Sequence, residues 1–190
     1  PLLRQRAVQL FFASAFFHVL AHISIYAFFS LYLDALGYSK TTIGLLWALS
    51  VVVEVLWFFT QARWLPRWPS TVWLMLCAAL MVLRMLMTAS AAEQLWVLML
   101  AQSLHALTFA AHHTVCISWL SEHFPARLRA RGQAIYTIAA YGLPGVIGGL
   151  MGGVLSSHWG LVSVFWIAVP VALLSLWAAW GAWRLDRGAA

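Results

Sequence analysis

The stretch Thr42–Ala62, TIGLLWALSVVVEVLWFFTQA, decides how the rest of the chain is read. It is a run of 21 residues broken by a single charge, Glu54. At a rise of about 1.5 Å per residue, a helix of that length crosses a hydrocarbon core of about 30 Å. Val51, Val52, Val53, Val55 and Leu56 surround the acid, so nothing in its own helix neutralises it. The carboxyl group must then be protonated or meet a cation from another helix. The run is continuous rather than alternating, which excludes a barrel strand.

Five further stretches have the same character. With the first they predict six transmembrane helices over about 7–33, 42–62, 71–89, 94–120, 133–156 and 161–183. The first and fourth are long enough to imply tilt or a protruding end. Composition agrees: 64% of the 190 residues are hydrophobic and only 8% are charged. Mean hydropathy is +0.87. A soluble domain carries about 25% charged residues, so a soluble fold is excluded, and so is disorder. Two cysteines, Cys77 and Cys116, do not make a disulfide scaffold; both lie in apolar runs and read as free thiols. No signal peptide with a small-residue cleavage site precedes the first span. The chain reads as one all-α polytopic domain over residues 1–190.

Formal net charge is +6, and the position of the basic residues explains it without nucleic acid. Arg4 and Arg6, Arg63 and Arg67, Arg127, Arg129 and Arg131, and Arg184 and Arg187 all fall on one side of the predicted membrane, against Lys40 alone on the other. The positive-inside bias therefore places both termini in the cytoplasm, and the expected location is the cell (inner) membrane. Trp64 and Trp68 at one edge, with Trp96 and Trp159 at the other, fit interfacial belts.

Ionisable groups inside a bilayer cost about 2.5–3.5 kcal/mol each and mark candidate sites. These are Glu54, Arg84, His105, His112, His18 and His22. Counting helical rises puts His18, Glu54 and His105 all roughly 17 Å deep, near the midplane. Midplane sites are where secondary transporters hold substrate and coupling ions. Arg84 has three readings: snorkelling to the headgroups, pairing with Glu54, or holding an anionic substrate through its planar fork. His105 and His112 are seven residues apart and share a helix face with Gln102, Phe109 and Cys116. His18 and His22 are one turn apart. Histidine titrates near neutrality and suits a proton relay, though a hydrogen-bonded packing role is the alternative for each. In the fifth span, Gly145, Gly148, Gly149, Gly152 and Gly153 recur at spacings that let helices approach closely. No metal motif and no haem-attachment motif accompanies the histidines, so no cofactor is expected.

Several of these motifs resemble a known family. Leu36-Gly37-Tyr38-Ser39 followed by Ile43-Gly44-Leu45-Leu46 is similar to the loop that opens the second helix of a six-helix major facilitator repeat. Val53-Glu54-Val55, Leu83-Arg84, Ala134-Ile135-Tyr136 and the run from Gln102 through Thr108-Phe109 to His112 resemble the phenylpropionate permease branch. The resemblance implies the C-terminal six-helix half of a twelve-helix transporter, with proton-coupled uptake of a small organic solute such as 3-phenylpropionate by alternating access. The chain also resembles the lactose permease type in plan, with Glu54, Arg84 and His105 in three of its roles; that type's carboxylate beside the histidine has no counterpart here. Arg63-Trp64-Leu65-Pro66-Arg67 departs from the Asp-Arg-x-Gly-Arg loop of the superfamily.

On this reading Arg84 attracts a substrate anion and Glu54 exchanges a proton or pairs with Arg84. His105 and His112 orient substrate or relay protons, and His18 and His22 line the cavity. The expected partners are a small-molecule substrate, protons, the lipid bilayer, and either a missing N-terminal six-helix half or a second copy. A sugar or nucleoside proton symporter is the alternative within the class. A haem- or metal-binding membrane module is the alternative outside it.

Overall fold

The computed structural model describes residues 2–187, and these contain helices, turns and loops without a strand. Six helices are long and apolar enough to cross a membrane: α1 (Arg6–Ala35), α2 (Lys40–Arg63), α3 (Ser70–Ala91), α4 (Leu95–His123), α5 (Ala126–Trp159) and α6 (Leu161–Arg187). The chain is therefore an all-α, multi-pass membrane protein with the helical make-up of half a major facilitator fold.

The α1–α2 loop shows how local chemistry sets the turns. Gly37 adopts φ +86°, which an L side chain rarely tolerates. That lets the Gly37 N–H reach the Asp34 carbonyl and the Tyr38 N–H reach the Leu33 carbonyl, each at 3.0 Å. This is the paired closure of a Schellman motif, and it caps α1. Two residues on, the Ser39 hydroxyl accepts from the Thr42 N–H at 3.1 Å and starts α2. The Tyr38 hydroxyl donates to the Ala92 carbonyl at 2.9 Å and ties the loop to the end of α3.

α1 lies at the centre, packed along α6 and flanked by α5; α6 also packs on α3, and α2 leans on α4. The α1–α6 seam includes a buried polar link. The Ser175 hydroxyl donates to the Ser14 carbonyl at 2.9 Å. A hydroxyl bond of this kind between membrane helices contributes about 0.6–2 kcal/mol. The core falls into two apolar clusters. One holds Phe29, Tyr32, Leu33, Met85 and Phe165. The other holds Phe11, Trp73, Trp119, Phe124 and Tyr136, with Phe11 and Trp119 stacked at 4.0 Å. Between the two lies a polar layer containing His18, His22, Arg84, Gln102, His105, Thr108 and His112, all buried.

Two helices depart from regular α geometry. Ala106–Ala111 in α4 and Thr137–Gly142 in α5 are π-helical. Such wide turns insert one residue into the ladder and concentrate at functional sites.

The glycines of α5 divide into two stripes. A Cβ on Gly148 would meet Ile23 at 2.9 Å, and one on Gly152 would overlap the Phe28 ring. These two glycines let α5 approach α1 closely. Gly145, Gly149 and Gly153 meet nothing within 4 Å. At 3.6 residues per turn their stripe is rotated about 80° from the first, so it misses α1. Within this chain Gly148 and Gly152 therefore face α1, while a Cβ on Gly145, Gly149 or Gly153 would meet open space.

Candidate functional site: a polar layer with an open and a sealed end

Four helices contribute to the layer: α1 through His18, His22 and Tyr26, α2 through Trp47 and Glu54, α3 through Arg84, and α4 through Gln102, His105, Thr108, Phe109 and His112. Arg84 anchors it. Its guanidinium is fully buried, with no path to the headgroups, so it does not snorkel. Nη2 donates to Gln102 Oε1 at 2.6 Å, and Nη1 donates to Thr108 Oγ1 at 2.9 Å. Nη1 also lies 3.3 Å from His105 Nδ1. Arginine only donates, so Nδ1 is the acceptor and the His105 proton belongs on Nε2. That nitrogen lies 3.3 Å from Glu54 Oε2.

Glu54 and Arg84 are therefore joined through His105 rather than directly. The imidazole is held in one tautomer from behind and presents an N–H to the carboxylate in front. The guanidinium and the carboxylate offset one another across the ring. Glu54 keeps 22% of its side chain exposed; His105 and Arg84 are sealed behind it. The Gln102 amide is fixed by the same cation, and its Nε2 donates to the Leu46 carbonyl at 3.4 Å.

Aromatic rings border Glu54 on the open side. Tyr26 and Trp47 are near-parallel at 6.1 Å. Phe109 stands almost perpendicular to Tyr26 at 6.0 Å and stacks on His105 at 5.0 Å. Tyr26 is 46% exposed. A flat apolar ring could lie here with its polar end toward Glu54 and His105, using the stacked and edge-on contacts aromatic pairs prefer.

The other end of the layer is closed. His18 and His112 stack face to face at 3.7 Å, and both are buried. His18 Nε2 lies 2.7 Å from the Thr108 carbonyl. A carbonyl only accepts, so Nε2 carries the proton, and Nδ1 is left without a partner. Cys116 Sγ lies 3.6 Å from His112 Nε2. His22 sits between the two ends, 5.3 Å from the His105 ring and 4.7 Å from Tyr26. His18 and His22 do not line an open cavity in this state, because the stack on His112 and the bond to Thr108 turn His18 inward. No set of three or more His, Cys, Asp and Glu side chains among the described residues has metal-holding geometry.

Thr108 touches both ends, through its hydroxyl to Arg84 and through its carbonyl to His18. Its place three residues after His105 was available in the sequence. Tyr26 was available too, one turn beyond His22 on the stripe that starts at His18.

Six apolar helices around an Arg–His–Glu line define a polytopic membrane protein. A family model described as "MFS_1 like family" matches residues 1–167, and the chain belongs to that family. It is 31% identical over 153 residues to the "Probable 3-phenylpropionic acid transporter" of Escherichia coli (strain K12), an alignment covering 80% of this chain and 40% of that protein. The aligned stretch thus spans 40% of the length of the relative it matches.

Proposed function

We propose that this chain forms one half of a proton-coupled transporter that takes up a small aromatic carboxylate such as 3-phenylpropionate across the inner membrane, with both termini cytoplasmic. The carrying observation is the line Glu54–His105–Arg84 opening onto Tyr26, Trp47 and Phe109. The similarity to a probable 3-phenylpropionic acid transporter supports the substrate class.

The geometry supports the following roles. Glu54 is the half-exposed acid and takes the proton. His105 passes its state inward as a change in the Nε2–H bond. Arg84 holds His105 in one tautomer and supplies the positive field that draws a carboxylate toward the site. The ring of the substrate rests on Tyr26 and Phe109. The opposing wall of the cavity comes from a second six-helix bundle, and alternating access consists of the two bundles rocking about this midplane layer.

The test is uptake of radiolabelled 3-phenylpropionate by cells expressing the full-length gene, with and without a protonophore. Accumulation that collapses with the protonophore is expected. Absence of uptake in cells where the protein is inserted overturns the substrate and directs the assay to sugars and nucleosides. Accumulation indifferent to the protonophore overturns the coupling.

A further inference from the structure

Away from the polar layer, α1 and α6 enclose a groove of about 510 Å³ at the arginine-rich end of the bundle. Its polar rim is Arg6, Gln9 and Arg184, and its bed is formed by Leu10, Trp177 and Trp180. We propose that this groove binds an anionic phospholipid, with the phosphodiester on Arg6 and Arg184 and the upper acyl chain along the tryptophans.

Three observations carry the inference. First, the cations are unopposed. Arg6 and Arg184 are exposed and take part in none of the ion pairs among the described residues. The acids of this chain are engaged elsewhere or remote from the groove. Asp34 pairs with Lys40, Glu54 with His105 and Asp186 with His123, Glu122 accepts from Ser70, and Glu93 lies between α3 and α4. Second, the groove is shaped. Gly181 lets the helices close up: a Cβ there would sit 3.0 Å from Leu10 Cδ1. The Arg184 guanidinium lies over the Trp180 ring at 4.3 Å, which holds it at the rim, and no side chain among the described residues pairs with it. Third, the volume lies in the range of about 300–1,000 Å³ typical of small-ligand sites. Basic pockets between membrane helices at the headgroup level suit acidic lipids.

The chemistry selects this occupant over others. A free phosphate would use the arginines and leave the apolar bed bare. A choline headgroup would bring a cation against two arginines. A second copy packed across a two-fold axis at this groove would oppose Arg6 and Arg184 to their own duplicates.

Native mass spectrometry of the purified full-length protein tests the site, with phosphatidylglycerol and phosphatidylcholine titrated separately. Each arginine contributes roughly fivefold, so Arg6→Gln with Arg184→Gln should weaken phosphatidylglycerol retention about twenty-five-fold. The pair Arg63→Gln with Arg67→Gln removes the same charge elsewhere and should change it less than about twofold. Ala13 also lines the groove, and Ala13→Phe, which fills it without altering charge, should also reduce occupancy. Equal retention of the two lipids overturns the site. So does an equal loss in the Arg63/Arg67 pair, unchanged binding in the Arg6/Arg184 pair, or a dimer in place of lipid adducts that the Arg6/Arg184 pair abolishes.

Discussion

His105 and His112 lie seven residues apart on one helix, and their surroundings are opposite. His105 stands between a guanidinium and a carboxylate, with aromatic rings and an open face in front of it. His112 is sealed, stacked on His18 with Cys116 beside it, and no charged partner is in contact with it. The open end has a defined tautomer, a defined direction of donation and a partly exposed acid. The sealed end has a defined tautomer only at His18, and its Nδ1 lone pair has no partner. The same residue type is thus held in one hydrogen-bonded orientation where a fixed cation faces it, and is a packed polar element where its neighbour is another imidazole.

Breaking the open end should have the largest effect. Arg84→Ala removes three donors from Gln102, Thr108 and His105 at once. Each charge-assisted bond is worth about 1.5–3 kcal/mol, so uptake should fall by more than about a hundredfold while the protein still inserts. Arg84→Lys should rescue little, because one ammonium does not reproduce the planar fork. Near-normal uptake by Arg84→Lys, measured at equal membrane abundance, would sink the proposed tautomer control.

Glu54→Gln separates transport from coupling. The amide keeps an acceptor oxygen facing His105 Nε2 and loses the titrating site. Counterflow of substrate between equal pools should survive, while protonophore-sensitive accumulation should fall to the level set by diffusion. Retained accumulation in Glu54→Gln places the coupling site elsewhere in the layer.

The sealed end should respond more through stability than through transport. His18→Leu leaves the Thr108 carbonyl without its donor in a buried layer, at a cost of about 1–3 kcal/mol. The expected readout is a thermal midpoint lowered by a few degrees in detergent, on the scale of about 2–4 °C per kcal/mol for a chain of this size. Uptake by the inserted protein should remain measurable. Loss of uptake as complete as in Arg84→Ala would erase the distinction between the two ends.

The fold class is legible in the sequence because hydropathy dictates it. Six apolar runs separated by turn chemistry leave few alternatives in lipid. The Gly37–Ser39 loop shows the same economy, since a glycine able to adopt positive φ and a serine cap announce one helix end and the next start. Part of the site is legible too: counting rises puts Glu54 and His105 at one depth, and they are in contact. The bond partners of Arg84 were not legible, because they depend on which way α3 faces α4. Nor was the separation of His105 from His112. At 3.6 residues per turn they share a face, but the π-helical segment Ala106–Ala111 between them adds a residue to the ladder. That offsets the two phases by about 100° and turns them toward different helices. The glycine spacing leaves its partner open for a related reason. Spacing shows which residues align along α5 but not which stripe finds α1.

Thr108 gives the smallest effect and the finest test, because the two ends meet on it. Its hydroxyl accepts from Arg84 and donates to the Leu104 carbonyl, while its own carbonyl accepts a hydrogen bond from His18 Nε2–H. Thr108→Val removes the first two bonds and leaves the third in place. One lost bond to a charged donor should lower uptake by about tenfold, and Thr108→Ser should restore most of it. Combining Thr108→Val with His18→Leu then asks whether the ends communicate. Distant, independent sites add within about 0.3–0.5 kcal/mol, whereas groups in one network couple by about 0.5–3 kcal/mol. Non-additive loss in the thermal midpoint would mean that the wide turn of α4 transmits the state of the open end to the sealed one. Strict additivity would mean that the turn merely places two separate histidine sites on one helix.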